Sequence, residues 1–266
     1  MLDKKDVASA NIKLSSLIAD HYNETEPHYK KENIFLTSVK IESLQRRTKG
    51  TDLLDMGCGT GFMIDIAKHY FLNVYGVDIS REMLDKVNRE KDSGYIRLIN
   101  CFIDDIDLES ESIDVCTAYA TLHHLHDISS VVKEAYRVLK KGGIFYSSLD
   151  PNFYFFSNVK QIDTMAIMGD ALKREMSKLE EETNNHLYQI AEPIKHLKNG
   201  FKEEDLLSVF TRVGYSDIKI GYYWFLGESK LIHSDESKAE EIRYYLQKSL
   251  PLSRNMFKYL EIEAIK

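Results

Sequence analysis

A glycine-rich loop is the feature that most constrains how this chain can fold. Residues 53–62 have the sequence LLDMGCGTGF, in which three glycines at alternate positions follow an apolar run that contains Asp55. A loop of this kind lets the main chain approach a ligand closely, because glycine has no side chain in the way. In doubly wound α/β folds, such a loop after the first strand is where nucleotides bind.

The segments after the loop alternate between short apolar runs and stretches that are long enough for helices. Because parallel strands need helical crossovers, this alternation indicates βαβ units and a largely parallel sheet. Ser80 is predicted to cap one helix, and another is predicted to end in two lysines followed by glycine. The predicted strands are 52–56, 73–79, 95–100, 114–119 and 143–150, and the predicted helices lie within 62–71, 81–91 and 128–140.

The flanking regions complete the predicted architecture. Residues 1–45 are predicted to be mainly helical, and a helical cap or lid is expected as an insertion at 153–200. A later helix, a stop at Gly214 and two further strands close the sheet. The predicted fold class is therefore α/β. We expect a single domain, 1–266, built on a doubly wound, Rossmann-like sheet of about seven strands. The sheet is expected to be mostly parallel with an antiparallel last strand, with helices on both faces and a helical cap.

Composition limits the classes of function. The chain has 266 residues and a formal net charge of −7, so sequence-independent binding to nucleic acid is not expected. Three scattered cysteines without a CxxC pair predict neither a disulfide framework nor a structural zinc site. A secretory signal peptide is not expected, and no apolar run approaches the length of about 20 residues that spans a bilayer. We therefore expect a cytoplasmic protein without a transmembrane segment, either a monomer or a homodimer.

The spacing of the glycines distinguishes between ligand classes. A phosphate-binding P-loop, Gly-x-x-x-x-Gly-Lys-Ser/Thr, is absent. The dinucleotide fingerprint requires glycine at position 62, where this chain has Phe62. Asp78 ends the second predicted strand, where a carboxylate can accept hydrogen bonds from both hydroxyls of a ribose. The alternatives are an ordinary tight turn at the glycines and a helix-capping role for Asp78.

Four segments, in their order and spacing, resemble the class I S-adenosylmethionine-dependent methyltransferases. They are DLLDMGCGTGF, VYGVDIS, SIDVCTAYATLHHLHD and EAYRVLKKGGIFYSSLDPN. The resemblance runs from about residue 50 to 152 and is closest to the small-molecule branch that includes quinone-pathway methyltransferases. It implies an enzyme that moves a methyl group from S-adenosylmethionine to nitrogen, oxygen or carbon of a small acceptor by in-line displacement.

The same resemblance implies the methionine and ribose parts of a cofactor site. Asp55, Gly57 and Gly59 match the first motif, in which the loop backbone and the acid face the methionine part of the cofactor. Asp78 matches the ribose-binding acid. Ile79 matches the residue after it, which packs against adenine.

The adenine and sulfonium ends are implied by residues further along the chain. Phe102 and Ile103 match the positions that contact adenine. The family often has a carboxylate for the adenine amino group; this chain departs from the usual pattern and offers Asp104 or Asp105, of which Asp104 is the candidate. Ala118 and Tyr119 match the end of the fourth strand, which runs beside the sulfonium.

Two histidines match a pair that lies near the acceptor mouth in many relatives. His123 and His124 are candidate general bases, because an imidazole titrates near neutral pH. A purely structural role is the alternative. No metal is expected at TLHHLHD (121–127), since on a turn its histidines would point in different directions. Tyr22 and Tyr29 resemble the tyrosine-bearing segment that folds over the cofactor.

The acceptor is predicted to be a small molecule with an apolar, aromatic or amine-bearing part. PNFYFF (151–156) and YYWF (222–225) offer rings for such a pocket, with core packing as the alternative. Leu172, Met176 and Leu179 are candidate lid residues. Two other functions stay open at this point: a catalytically silent, S-adenosylmethionine-binding regulatory or scaffold protein, and an NAD(P)-dependent oxidoreductase, which Phe62 opposes.

Overall fold

The structure, a computed structural model, describes residues 2–162, 181–182 and 184–266. It contains seven strands, and the predicted bounds agree to within one residue for four of the first five. The strands are β1 (Asp52–Met56), β2 (Asn73–Asp78), β3 (Tyr95–Asn100), β4 (Ile113–Tyr119), β5 (Leu139–Pro151), β6 (Ser216–Phe225) and β7 (Phe257–Ile265).

These strands form one sheet in the order β3-β2-β1-β4-β5-β7-β6. The pairs among β1 to β5 are parallel. The last strand, β7, lies antiparallel between β5 and β6. The predicted fold class, a mostly parallel α/β sheet with an antiparallel last strand, is therefore confirmed.

Helices precede the sheet, connect its strands and cover both of its faces. The helices up to residue 162 are α1 (Lys4–Ile18), α2 (Tyr22–Thr25), α3 (Lys31–Thr48), α4 (Phe62–Ala67), α5 (Arg81–Leu84), α6 (Ser129–Val138) and α7 (Phe153–Ile162). Those after residue 184 are His186–Ala191, Pro193–Lys198, Glu203–Val213, Glu228–Ser234 and Glu236–Lys248.

Two layers of buried apolar side chains hold the helices on the sheet. On one face, Phe145 of β5 packs against Phe210 of the helix Glu203–Val213, with ring centroids 5.1 Å apart. On the other face, Ile41 and Leu44 of α3 join a cluster that includes Leu53 of β1. Burial of each such side chain contributes about 2 kcal/mol. The central strands β1 and β4 are buried along nearly their whole length, because helices cover both faces of the sheet there.

Three connecting helices are shorter than predicted. Helix α4 ends at Ala67 and α5 is a single turn, which Ser80 caps as expected by accepting from the Met83 N–H at 3.3 Å. The prediction that two lysines end the third helix was wrong, because α6 stops at Val138 and β5 begins directly after it. Lys140 Nζ instead donates to both carboxylate oxygens of Asp114 at 2.9 Å, which fixes this lysine on the sheet.

The region predicted as a cap is described in part. It begins with α7 and continues with the helices His186–Ala191 and Pro193–Lys198, the first of which packs against α1. The candidate lid residues Leu172, Met176 and Leu179 lie outside the described residues. Within the described ranges, no helix is both long enough and apolar enough to cross a membrane.

Candidate active site

A cavity opens where the strand order of the sheet reverses, at the carboxyl ends of β1 and β4. Ligands of open α/β sheets bind at such a switch point, because the loops after the two strands diverge there. The glycine loop lines one side of this cavity, and Tyr119 and Thr121 line another. The loop that the sequence singled out is therefore part of a concave site.

The conformation of the loop depends on its first glycines. Gly57 and Gly59 have φ of +77° and +51°, in the left-handed region that glycine tolerates. The N–H groups of Gly57 and Cys58 both donate to the carbonyl of Val77 at the end of β2, at 2.8 and 2.9 Å. A Cβ on Gly57 would lie 2.4 Å from Thr121 Cγ2, so the loop passes directly against the segment after β4.

Asp78 connects the loop to the second strand. Its Oδ2 accepts from the Gly59 N–H at 2.9 Å, and its Oδ1 accepts from the Ser80 N–H at 2.8 Å. Burial raises the pKa of this carboxyl. Each carboxylate oxygen can accept a further hydrogen bond. Asp78 also lines the cavity, so a ligand with adjacent hydroxyls can reach both of its oxygens.

Asp55 provides a second carboxyl at the loop. It is buried, lines the cavity and accepts a hydrogen bond from the hydroxyl of Thr117 at 2.8 Å. Burial raises its pKa to about 7. A cationic group on a ligand in this part of the cavity would favour the ionised form.

The residues predicted at the adenine end all line the cavity. Phe102 and Ile103 lie there together with Asp104. Both oxygens of Asp104 accept from Lys4 Nζ, at 2.6 and 2.7 Å, and the same ammonium lies 4.6 Å from the centroid of the Phe102 ring. The adenine contact of Asp104 stays a prediction, because Lys4 shares its carboxylate.

The N-terminal helix forms a wall of the cavity that sequence reasoning did not foresee in detail. Its residues Val7, Asn11 and Leu14 line the cavity. The signal was present: Val7, Ala10 and Leu14 recur at helical spacing and are the buried positions of α1. The partner of that apolar stripe, however, is set by tertiary packing.

Tyr22 and Tyr29, predicted to fold over the cofactor, also line the cavity. The hydroxyl of Tyr29 is 2.7 Å from Thr60 Oγ1 in the glycine loop. Phe62, which occupies the place of a third fingerprint glycine, packs its ring 5.2 Å from Tyr29 and 5.0 Å from Tyr119. A bulky residue at position 62 thus joins the N-terminal segment to the loop.

The two histidines occupy different environments. His124 lines the cavity, whereas His123 is buried behind it. The Nδ1 of His123 lies 2.9 Å from Asp150 Oδ1, and Asp150 also accepts from the Ser147 hydroxyl at 2.6 Å. Ala118, predicted beside the sulfonium, is fully buried within the sheet and is likewise not part of the cavity wall.

The hydrogen bonds of Asn11 determine which nitrogen of His124 carries the hydrogen. Asn11 Nδ2 donates to the carbonyls of Val7 and His124, both at 3.0 Å. Its Oδ1 must therefore accept from His124 Nδ1–H, at 2.9 Å, which leaves a lone pair on Nε2. Burial, together with the neighbouring His123, lowers the pKa of His124 to about 3. Near neutral pH, the Nε2 of such a neutral imidazole accepts a hydrogen bond, but it does not stay protonated.

The predicted aromatic walls serve mainly as core. Phe155, Tyr222 and Phe225 are buried. Among the described residues that line the cavity, none comes from 151–156 or 222–225. The core-packing alternative therefore holds for these three rings.

Comparisons with known proteins agree with this geometry. Residues 54–147 match the family model described as "Methyltransferase domain". A probable S-adenosylmethionine-dependent methyltransferase of Mycolicibacterium smegmatis is 29% identical over 196 residues, which cover 73% of this chain and 69% of that protein. The ubiquinone biosynthesis O-methyltransferase of Coxiella burnetii is 29% identical over 160 residues, 57% of this chain and 64% of that protein, so the match spans just under two thirds of its length.

Solved structures of methyltransferases have a similar fold. A crystal structure of an S-adenosylmethionine-dependent methyltransferase from Archaeoglobus fulgidus superposes with a TM-score of 0.54 and 16% sequence identity. The superposition covers 88% of this chain and 94% of that one. At this identity the likeness supports the fold, while the sequence matches support the class of activity.

Proposed function

We propose that this chain is an S-adenosylmethionine-dependent methyltransferase, in agreement with the family model and the relatives that it matches, and that it methylates a hydroxyl oxygen of a small molecule held beside His124. The observation that carries this proposal is a single cavity that extends from Asp78 to His124. Methyl transfer from a sulfonium releases a neutral thioether, so the main task of the protein is to align nucleophile, methyl group and sulfur. One continuous cavity can hold both reactants for that purpose.

The cofactor is proposed to lie along the glycine loop. Asp78 accepts from the ribose hydroxyls, and the backbone at Gly57 and Gly59 approaches the methionine part closely. Asp55 faces the ammonium of the methionine part, since an ionised carboxylate in a buried site needs an opposite charge. The adenine then reaches Phe102 and Ile103 at the other side of Asp78.

The acceptor is proposed to present a hydroxyl group to His124. The lone pair on His124 Nε2 makes it a hydrogen-bond acceptor at the cavity. A hydroxyl donates to it and directs an oxygen lone pair toward the methyl group, and the hydroxyl proton is released to solvent as the O–C bond forms and the C–S bond breaks. The O-methyltransferase named among the relatives supports oxygen as the target. The related alternative is an amine, whose N–H also donates to Nε2.

Two measurements test this proposal. Titration calorimetry is expected to show micromolar binding of S-adenosylmethionine and of its demethylated product. Incubation with isotopically labelled cofactor and matched panels of phenols and amines, followed by mass spectrometry, is expected to place the label on oxygen. Label on nitrogen alone would overturn the choice of hydroxyl. Binding without transfer to any compound in a metabolite extract would instead favour a silent cofactor-binding protein.

Asp55→Asn is expected to remove a pH dependence of stability. The pKa of Asp55 is raised from 3.8 in the unfolded reference to about 7 in the folded protein, so its contribution is fully favourable below 3.8 and is lost as pH rises through 7. The free energy of unfolding of the native chain, relative to that of Asp55→Asn, should therefore fall between about pH 4 and pH 8. Urea unfolding of both proteins measures this, and a constant difference would contradict it.

A further inference from the structure

Three side chains beside His124 form a second cluster of chemical groups. One ring nitrogen each of His123 and His124 and one carboxylate oxygen of Glu192 lie within 4.8 Å of one another. The histidines come from the turn after β4, and Glu192 lies between the helices His186–Ala191 and Pro193–Lys198. We propose that this cluster binds a divalent transition metal ion such as Zn²⁺, with one coordination position open to the cavity.

Both histidines are held in the orientation that a metal ligand requires. His123 Nδ1 donates to Asp150 Oδ1 and His124 Nδ1 donates to Asn11 Oδ1, each at 2.9 Å. Each ring is left with a lone pair on Nε2. Metal-binding histidines characteristically donate their other ring N–H to a carboxylate or carbonyl oxygen, which fixes the ring and increases its basicity. Here both rings have such a partner.

The cluster brings together groups that a cation between them would stabilise. His123 Nε2 lies 3.9 Å from Glu192 Oε2, and both side chains are buried, so water screens little of their repulsion. A lone pair that faces a carboxylate oxygen is unfavourable unless positive charge lies between them. A proton can bridge one such pair, whereas a metal ion satisfies both histidines and the glutamate together.

Glu192 has a cationic neighbour that orients its carboxylate. Lys195 Nζ lies 2.8 Å from Glu192 Oε2 and 3.3 Å from Glu182 Oε2, so its ammonium is divided between two carboxylates. A carboxylate has about four lone-pair sites, so Lys195 orients Glu192 and leaves capacity for an ion.

The ligand chemistry matches a catalytic rather than a structural site. Two imidazoles and one carboxylate are a known ligand set of catalytic zinc, in which the fourth position holds water or substrate. The edges of such a tetrahedral site are about 3.4 Å long, so the three ligand atoms, which lie within 4.8 Å of one another, would move closer together when the ion binds. Of the three proposed ligands, His124 is the one that lines the cavity, and the open position is proposed to lie on its side.

The role of the ion rests on the proposed function, although its binding does not. The acceptor hydroxyl would bind the ion in place of its hydrogen bond to His124 and release its proton to solvent. The oxygen lone pair then forms the new O–C bond to the methyl group as the C–S bond breaks. The electron pair of that bond remains on sulfur, which becomes a neutral thioether.

Metal content of the full chain tests the proposal without any assay of activity. After removal of metals with a chelator, the protein is dialysed against Zn²⁺ or Co²⁺, and bound metal is measured by mass spectrometry and by the visible absorption of Co²⁺. About one ion per chain is expected. Glu192→Gln and His123→Gln should each weaken binding at least about tenfold, and Asn11→Leu should weaken it about tenfold through His124.

Two control variants locate the ion and separate it from the methyltransferase proposal. His126→Gln alters a histidine of the same run that lines the cavity but lies outside the cluster, and it should bind metal as the native chain does. Asp78→Ala should lose the cofactor yet retain the metal. Absence of stoichiometric metal, or equal binding by Glu192→Gln in a protein that melts cooperatively, would overturn the proposed site. Equal loss in His126→Gln would also overturn it.

Discussion

Asp78→Ala is expected to weaken S-adenosylmethionine binding by about 100-fold or more, as measured by titration calorimetry. Hydrogen bonds to a charged group contribute about 1.5–3 kcal/mol each, and two ribose hydroxyls would lose such a partner. The substitution also removes the acceptor for the N–H groups of Gly59 and Ser80. Ligand contacts and loop geometry are therefore affected by one change.

The matched control is Asp85→Ala, seven residues further along the chain. Asp85 is exposed and pairs with Arg81 at 3.1 Å, a surface ion pair that contributes about 0–1 kcal/mol. Its removal should leave cofactor affinity unchanged within error. Asp78→Asn keeps the size of the side chain and isolates the effect of its charge. An unaltered dissociation constant in folded Asp78→Ala would remove this residue from the ribose role.

Gly57→Ala is expected to destabilise the protein by about 3 kcal/mol and to abolish measurable cofactor binding. The left-handed backbone costs alanine about 1 kcal/mol, and the overlap with Thr121 adds about 2 kcal/mol. The new Cβ would lie 2.4 Å from Thr121 Cγ2 and 2.8 Å from Thr121 Oγ1. Thermal unfolding should show a midpoint about 6–12 °C lower.

Alanine substitutions at two other glycines distinguish the effect of backbone strain on stability from the effect on cofactor binding. Gly142 and Gly59 both have positive φ, and a Cβ on either meets nothing within 4 Å. Alanine at each should cost about 1 kcal/mol of backbone strain. Only Gly59→Ala is expected to weaken cofactor binding, because Gly59 lines the cavity and Gly142 does not. Equal cofactor affinities for these two variants would contradict a close approach of the ligand to the loop.

Features that depend on neighbours in sequence were predictable. The strands β1 and β3 have the bounds that their short apolar runs predict, because a run of this length flanked by polar residues and turns favours a strand. The glycine loop and Asp78 were recognisable because they lie at the ends of consecutive strands, 21 residues apart. Parallel pairing of β1 and β2 brings those ends together.

Features that depend on distant segments were not predictable. The TLHHLHD run was expected to point its histidines in different directions, yet the rings of His123 and His124 are 4.4 Å apart and share Glu192 as a neighbour. Asp150 and Asn11, which orient those rings, come from β5 and α1. No local pattern marks an asparagine in an amphipathic helix as the partner of a histidine more than 100 residues away.

The sequence by itself determined the α/β sheet and the place of the nucleotide loop, because both follow from local periodicity and short motifs, and its resemblance to a methyltransferase family implied the class of cofactor. The tertiary structure alone decided what covers the cavity and what charge state its groups adopt. Burial raises the pKa of Asp55 to about 7 and lowers that of His124 to about 3. Desolvation of a group depends on every segment packed around it. The pKa of His124 is therefore lowered only once α1 and the helix Pro193–Lys198 pack against the turn after β4.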